Sequence, residues 1–202
     1  MKFLSAITLA IASLATANPI EPRGLQNFDS DTGARLNLVN ASFGPNRGLY
    51  YKGIGLAQIY DKGQNLQAVK AQSNPNVLTY GELDRLSDPY PYITSVYTGS
   101  SGTFNLSSIY LGCVLGNIPG ACTINIVAYK KGVKVGSVAA AYQPISTIPA
   151  AMTQITFPAS FQGIDSVRFN TVFLDRILHP SLGGATFLDD IRYTYDASTP
   201  ST

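Results

Sequence analysis

The stretch that decides the fold is SGTFNLSSIYLGCVLGNIPGACTINIVAYKKGVKVGSVAAAY, residues 101–142. Residues 103–113 are rich in the apolar and aromatic side chains that favour strands. Residues 122–129 alternate, and one face of this predicted strand carries Ile124, Ile126 and Ala128. A Lys-Lys-Gly turn then leads into a third predicted strand at residues 133–141. The stretch therefore predicts three consecutive strands joined by turns.

The chain of 202 residues divides into four segments by composition. Residues 1–17 form a secretory signal, with a lysine at position 2, a short apolar run and Ala-Thr-Ala before the expected cleavage point. Residues 18–34 are a flexible leader, 35–196 a single β-domain and 197–202 a disordered tail. Because the apolar run is too short to span a bilayer, we expect a secreted, extracellular protein without a membrane span. A buried N-terminal helix is the alternative.

The only two cysteines of the chain, Cys113 and Cys122, bracket the first turn of the central stretch. Since export leads to an oxidising compartment, we expect them to form a disulfide between neighbouring strands. The loop that they close is short, and the chain-entropy model gives about 2.5 kcal/mol of stabilisation for it.

Outside the central stretch, turn residues separate further short segments with strand character. The predicted strands are at 35–43, 49–54, 77–80, 93–97, 153–157, 164–173 and 186–195. No amphipathic segment is longer than a turn or two of helix. The pattern predicts an all-β protein, an antiparallel β-sandwich of jelly-roll type.

The charge balance argues against one class of partner, and two sequence motifs predict a modification. Lys and Arg total 14 against 12 for Asp and Glu, and no basic stripe is present, so we expect no nucleic-acid partner. Asn40 and Asn105 each begin an Asn-X-Ser sequon, which predicts glycosylation at both.

Several short motifs, taken in order, resemble a group of small secreted fungal proteins of largely unknown function. They are GLYYKG at 48–53, SGTFNL at 101–106, AYKKG at 128–132 and FLDDIRY at 187–193, together with the segments around the two cysteines. The resemblance implies a galactose-binding-like or jelly-roll β-sandwich, a fold like that of many carbohydrate-binding modules, and secretion from a fungus. It brings no catalytic residues.

Carbohydrate ligands are held by aromatic rings together with amide and charged hydrogen-bonding groups. The chain has no tryptophan, so tyrosine would have to supply the rings. The candidate binding residues are Tyr90 and Tyr92 in a proline-rich loop, and Asn125, Arg168, Asn170 and Arg192 on the polar faces of later strands. Tyr50, Tyr51 and Tyr97 are further candidates, for which burial in the core is the preferred interpretation. The polar positions are alternatively a solvated face.

The last predicted strand suggests a metal site. With a period of two, one face carries Phe187, Asp189, Ile191, Tyr193 and Tyr195, and this face is expected to point to the core. A carboxylate buried there needs a cation, backbone donors or a proton. We therefore expect either a structural calcium at Asp189 or Asp190, or an Asp189 that caps loop amides or pairs with an arginine.

Catalysis finds little support in the sequence. The only glutamates are Glu21 and Glu82, and Glu21 lies in the leader, so the paired carboxylates of a glycosidase are not evident. A serine nucleophile elbow is missing. We expect a non-catalytic, monomeric secreted protein that contacts a glycan or a cell-wall surface. The alternatives are a small lyase-like enzyme that uses His179, the single histidine, and a structural or host-interacting protein without a small ligand.

Overall fold

The structure, a computed structural model, describes residues 25–26, 28, 43–58, 68–73, 75–81, 91–145, 149–174 and 182–197. These residues form fifteen strands. The strands are β1 Leu25–Gln26, β2 Gly44–Asn46, β3 Leu49–Lys52, β4 Gly55–Gln58, β5 Val69–Lys70, β6 Asn76–Gly81, β7 Tyr92–Thr94, β8 Gly102–Leu115, β9 Ile118–Pro119, β10 Cys122–Lys130, β11 Val133–Tyr142, β12 Ala150–Ala151, β13 Thr153–Thr156, β14 Ser166–Phe173 and β15 Gly184–Ala197. A 3-10 turn spans Ala159–Phe161. Across the described parts of the chain, no helix has the length and apolar character needed to cross a membrane.

Two antiparallel sheets form the body of the protein. Sheet A has the order β13-β8-β15-β6-β4, with β1 added beside β15 and β9 beside β8. Sheet B has the order β11-β10-β14-β7-β3-β2, and a short parallel pair, β5 with β12, lies outside both sheets. From β6 onward the chain repeatedly crosses between the sheets, because β6, β8, β13 and β15 belong to sheet A while β7, β10, β11 and β14 belong to sheet B. The fold is the predicted antiparallel β-sandwich of jelly-roll type.

The central stretch forms the three predicted strands β8, β10 and β11. Ile124, Ile126 and Ala128 are fully buried, as their alternation predicts, and they face sheet A from sheet B. The Cys113–Cys122 disulfide is confirmed, with 6.3 Å between the two Cα atoms. The expectation that it joins neighbouring strands is wrong, since Cys113 lies on β8 of sheet A and Cys122 on β10 of sheet B. The disulfide ties the two sheets together where the chain crosses between them.

A third layer covers part of sheet A on the side away from sheet B. Gly112 of β8 faces Val69 of β5 and Met152, and a Cβ at this glycine would lie 2.8 Å from the Val69 side chain. The glycine therefore permits close packing of the β5–β12 pair on sheet A. On the outer side of sheet B, in contrast, Asn125 and Arg168 are exposed.

The N-terminal side of the sandwich begins earlier than the sequence predicts. β1 pairs with β15, and Phe28 is 1% exposed and contacts the rings of Phe43 and Tyr51. The sandwich therefore includes part of the segment that was expected to be a flexible leader. The signal segment, most of the leader, the predicted strand at 35–43 except Phe43, and residues 198–202 of the tail lie outside the described residues.

The last strand, β15, departs from simple alternation. Asp189 pairs with Tyr110 and Arg192 with Ser108, so β15 holds one extra residue between these pairs. Asp190, in this bulge, has a left-handed backbone with a φ of 45°. The extra residue inverts the faces: Phe187 and Asp189 share one side of sheet A, whereas Tyr193 points between the sheets. The predicted single face from Phe187 to Tyr195 is therefore wrong.

Candidate functional site on the outer face of sheet B

In strands β10 and β14 of sheet B, successive side chains alternate between the core and the outer face. In β14, Val167 and Phe169 are fully buried while the intervening Arg168 is exposed. In β10, Asn125 is exposed between buried isoleucines. This alternation places Tyr92, Asn125, Arg168 and Asn170, four of the predicted binding residues, on the outer face of one sheet.

The strand register shows how these side chains are arranged. Lys52 pairs with Tyr92, and Tyr92 pairs with Arg168, so these three residues form one row across β3, β7 and β14. Asn170 and Asn125 pair directly in the neighbouring row of β14 and β10. Directly paired residues of an antiparallel sheet have Cβ atoms roughly 5 Å apart. The four predicted residues therefore lie side by side, although they are distant in sequence.

Two cations lie over tyrosine rings on this face. The Nζ atom of Lys52 is 5.6 Å from the centre of the Tyr92 ring. The guanidinium carbon of Arg168 is 4.7 Å from the centre of the Tyr129 ring. Such contacts hold a cation close to the sheet.

Sequence reasoning did not single out Lys52 and Tyr129 as binding residues. Both occupy outward positions of strands that were predicted correctly, and this alternation is the signal that would have found them. Tyr51 is fully buried, which confirms the core interpretation for that residue. Tyr50 and Tyr97 are only half-buried, and their rings pack against each other with centres 5.8 Å apart.

Other predicted residues do not join this face. Arg192 is exposed on β15 of sheet A, opposite Ser108, and thus belongs to the other sheet. Tyr90, Asn40 and His179 lie outside the described residues, so their predicted roles stay predictions.

Asn105 is half-buried, and its side-chain amide donates to Thr194 Oγ1 at 2.9 Å while its oxygen accepts from the Gly163 amide at 2.7 Å. Its glycosylation also stays a prediction.

Asp189 lies on sheet A as a fully buried carboxylate held by loop donors. Asp189 Oδ2 accepts from the Ser73 amide at 2.9 Å, and Oδ1 accepts from the Ser73 hydroxyl at 3.2 Å and the Asp190 amide at 2.8 Å. The expectation that Asp189 caps loop amides is thus confirmed. Burial raises the pKa of Asp189 to about 7, even though these hydrogen bonds favour the charged form.

Calcium at Asp189 or Asp190 stays a prediction. Asp190 Oδ1 is buried without a hydrogen-bond partner, and such an orphaned oxygen is a suitable ligand for a hard cation. Within the described ranges, however, no group of three or more His, Cys, Asp or Glu side chains is placed to hold a metal ion. A cation here would need carbonyl or water ligands as well.

A small cavity between the sheets does not suit a sugar. It is lined by Tyr80, Gly81, Pro91, Phe169, Thr171, Phe173 and Thr186 and has a volume of about 10 Å³. This is room for about one water molecule. The lining hydroxyls bond to one another, with 2.9 Å from Tyr80 to Thr171 and 2.8 Å from Thr171 to Thr186. The cavity is therefore part of the core.

Comparison with known proteins shows that the fold of this chain is similar to that of a solved structure. Neither a protein-family model nor a curated protein sequence matches the chain. A DUF4465 family protein from Bacteroides caccae is similar in structure, with a TM-score of 0.52 and 12% identity over 94% of this chain and 99% of that chain. What the two proteins share is the fold.

Two carbohydrate-binding modules also align with the chain, at lower scores. The CBM22-2 xylan-binding domain of Paenibacillus barcinonensis Xyn10C has a TM-score of 0.32 and 14% identity over 80% of this chain and 99% of that chain. A CBM28 module specific for non-crystalline cellulose has a TM-score of 0.31 and 14% identity over 80% of this chain and 94% of that chain.

Proposed function

We propose that the protein is a secreted, non-catalytic carbohydrate-binding protein whose ligand lies on the outer face of sheet B. The observation that carries the proposal is the convergence of rings, amides and cations from four strands on one face. These residues are Lys52, Tyr92, Asn125, Tyr129, Arg168 and Asn170. A sugar ring offers an apolar face to tyrosine and hydroxyl groups to amides and cations, so this combination suits it.

The dimensions of the face favour an extended ligand. Strands are spaced about 4.8 Å apart, so the distance from Lys52 on β3 to Val127 on β10 is about 14 Å across the sheet. The rows of Arg168 and Asn170 are separated by about 7 Å along β14. A chain of linked sugars fits such a surface, whereas the small core cavity holds no such ligand.

Two further observations support the secreted, non-catalytic character of the protein. The Cys113–Cys122 disulfide is a cross-link typical of proteins outside the reducing cytosol. The six strands of sheet B contain no Asp or Glu, whereas glycoside hydrolysis uses a pair of carboxyl groups at the sugar. The outer face therefore supports binding better than bond cleavage.

The test is a set of tyrosine variants in affinity electrophoresis against xylan, a soluble cellulose derivative, polygalacturonate and mannan. Because an aromatic contact contributes about 0.5–1.5 kcal/mol, Tyr92→Ala and Tyr129→Ala should each weaken binding about two- to tenfold. Tyr110→Ala is the matched control, since Tyr110 is a half-buried strand tyrosine on sheet A. Equal retardation of wild type and both variants, or no retardation by any glycan, would exclude this face as the binding site.

A further inference from the structure

The charges of sheet B are of one sign. Lys52, Lys130, Lys134 and Arg168 are the charged residues of its six strands, and none of these strands contains an acid. The described acids of sheet A, in contrast, are Asp189, Asp190 and Asp196 on β15. The two sheets of the sandwich therefore differ in charge, and the basic one carries the tyrosine and asparagine surface.

We infer that the outer face of sheet B selects an anionic polysaccharide, one whose sugars carry carboxylates, through Lys52 and Arg168. This inference rests on the proposed carbohydrate binding and names the class of glycan. Lys52 and Arg168 flank Tyr92 in the same row, at about 5 Å from it on either side. A uronic acid lying on Tyr92 would thus have a cation on either side of it along this row.

Arg168 is an exposed arginine whose chemistry suits a carboxylate. Its guanidinium carbon lies 4.7 Å from the centre of the Tyr129 ring, and the planar group presents several N–H donors. Among the described residues, no carboxylate forms an ion pair with Arg168. A guanidinium binds a carboxylate through two parallel hydrogen bonds.

The described acid that comes nearest in sequence to this face is Asp165, just before β14, and its oxygens are already engaged. It accepts hydrogen bonds from the Ser166 hydroxyl at 3.1 Å and from the Lys131 backbone amide. The contact with Lys131 ties the residue before β14 to the turn between β10 and β11. Asp165 thus has a structural role there.

The experiment compares polygalacturonate oligosaccharides with the same oligosaccharides after methyl esterification, which removes the charge and keeps the sugar backbone. Titration calorimetry at low salt should show about fivefold or greater preference for the free acid. Arg168→Gln and Lys52→Gln should each lower the ratio of acid to ester affinity. Arg192→Gln and Lys70→Gln, exposed cations outside sheet B, are matched controls that should keep the ratio.

The outcomes separate this inference from the proposed function. Equal affinity for acid and ester, or an unchanged ratio in Arg168→Gln and Lys52→Gln, would overturn the inference and leave carbohydrate binding standing. Absence of binding to acid, ester and every neutral glycan would overturn both. Polyglutamate that binds as tightly as polygalacturonate would also overturn the inference, because charge alone would then explain the preference.

Discussion

Among the described aspartates, Asp189 is the one whose environment differs most from that of an exposed aspartate. It is fully buried, and its pKa of about 7 lies well above the ordinary value of 3.8, chiefly because burial disfavours the charged form. The folded protein therefore binds more protons than the unfolded chain between about pH 4 and pH 7. The contribution of Asp189 to the free energy of unfolding falls as pH rises through this window and is constant above it.

Replacement of Asp189 by asparagine should remove this dependence. When the pH is raised from 5 to 8, the free energy of unfolding of Asp189→Asn should increase relative to that of wild type by about 1–3 kcal/mol. Urea unfolding of both proteins at the two pH values, with EDTA present throughout, measures the difference. Asp196→Asn, an exposed aspartate of the same strand, is the control. A stability difference between wild type and Asp189→Asn that stays constant with pH would contradict the assignment.

The calcium expected beside Asp189 gives a second prediction. A cation that satisfies the orphaned Asp190 Oδ1 should stabilise the folded state, so millimolar CaCl2 should raise the melting temperature of EDTA-treated protein at pH 8. Asp190→Asn should abolish the increase, whereas Mg²⁺ at the same concentration should have a smaller effect because it gives up its water reluctantly. No shift on adding CaCl2 would end the calcium hypothesis.

At the scale of elements, the disulfide has a different role from the one predicted. Turn residues between Cys113 and Cys122 correctly indicated that two strands flank a reversal of the chain. They could not show that the chain passes from sheet A to sheet B there, because hairpins and crossovers use the same turn residues. The cross-link consequently connects the two layers of the sandwich.

Removal of the disulfide should therefore weaken the packing of β8 against β10. We expect the double variant Cys113→Ala/Cys122→Ala to lose about 2–4 kcal/mol of unfolding free energy, from loop entropy and lost packing of two buried side chains. Urea unfolding measures this loss. A single Cys113→Ala variant should lose a similar amount, since it also breaks the bond, and a double variant as stable as wild type would contradict the role.

The bulge in β15 explains why the predicted face of this strand was wrong although Asp189 is buried as expected. Period-two reasoning assumed that Phe187 and Tyr193 point the same way, whereas the extra residue at Asp189 and Asp190 inverts the faces. One signal was present: Phe187 and Leu188 are consecutive apolar residues, which strict alternation does not explain. Burial of Asp189 was still predictable, because Phe187 and Ile191, two positions before and after it, are apolar.

For the whole molecule, the sequence predicts strand faces better than strand neighbours. Alternation correctly placed Asn125, Arg168 and Asn170 on outward faces, because each strand's period depends only on nearby residues. Sheet membership depends on pairing between distant segments, which no local pattern encodes. Arg192 was therefore grouped with the others although it lies on sheet A, while Lys52 was missed although it lies beside Tyr92.

The net charge of the whole chain is only +2. The salt dependence of binding can therefore show whether the cations of sheet B or the net charge attract the anionic glycan. Raising NaCl from 20 to 500 mM shortens the screening length from about 20 Å to about 4 Å and should weaken polygalacturonate binding several-fold. The double variant Lys52→Gln/Arg168→Gln should lose most of this salt dependence. Lys70→Gln/Arg192→Gln, which removes the same number of positive charges, should keep it. Identical salt dependence in the two double variants would mean that net charge, and not the outer face of sheet B, governs association with the anionic glycan.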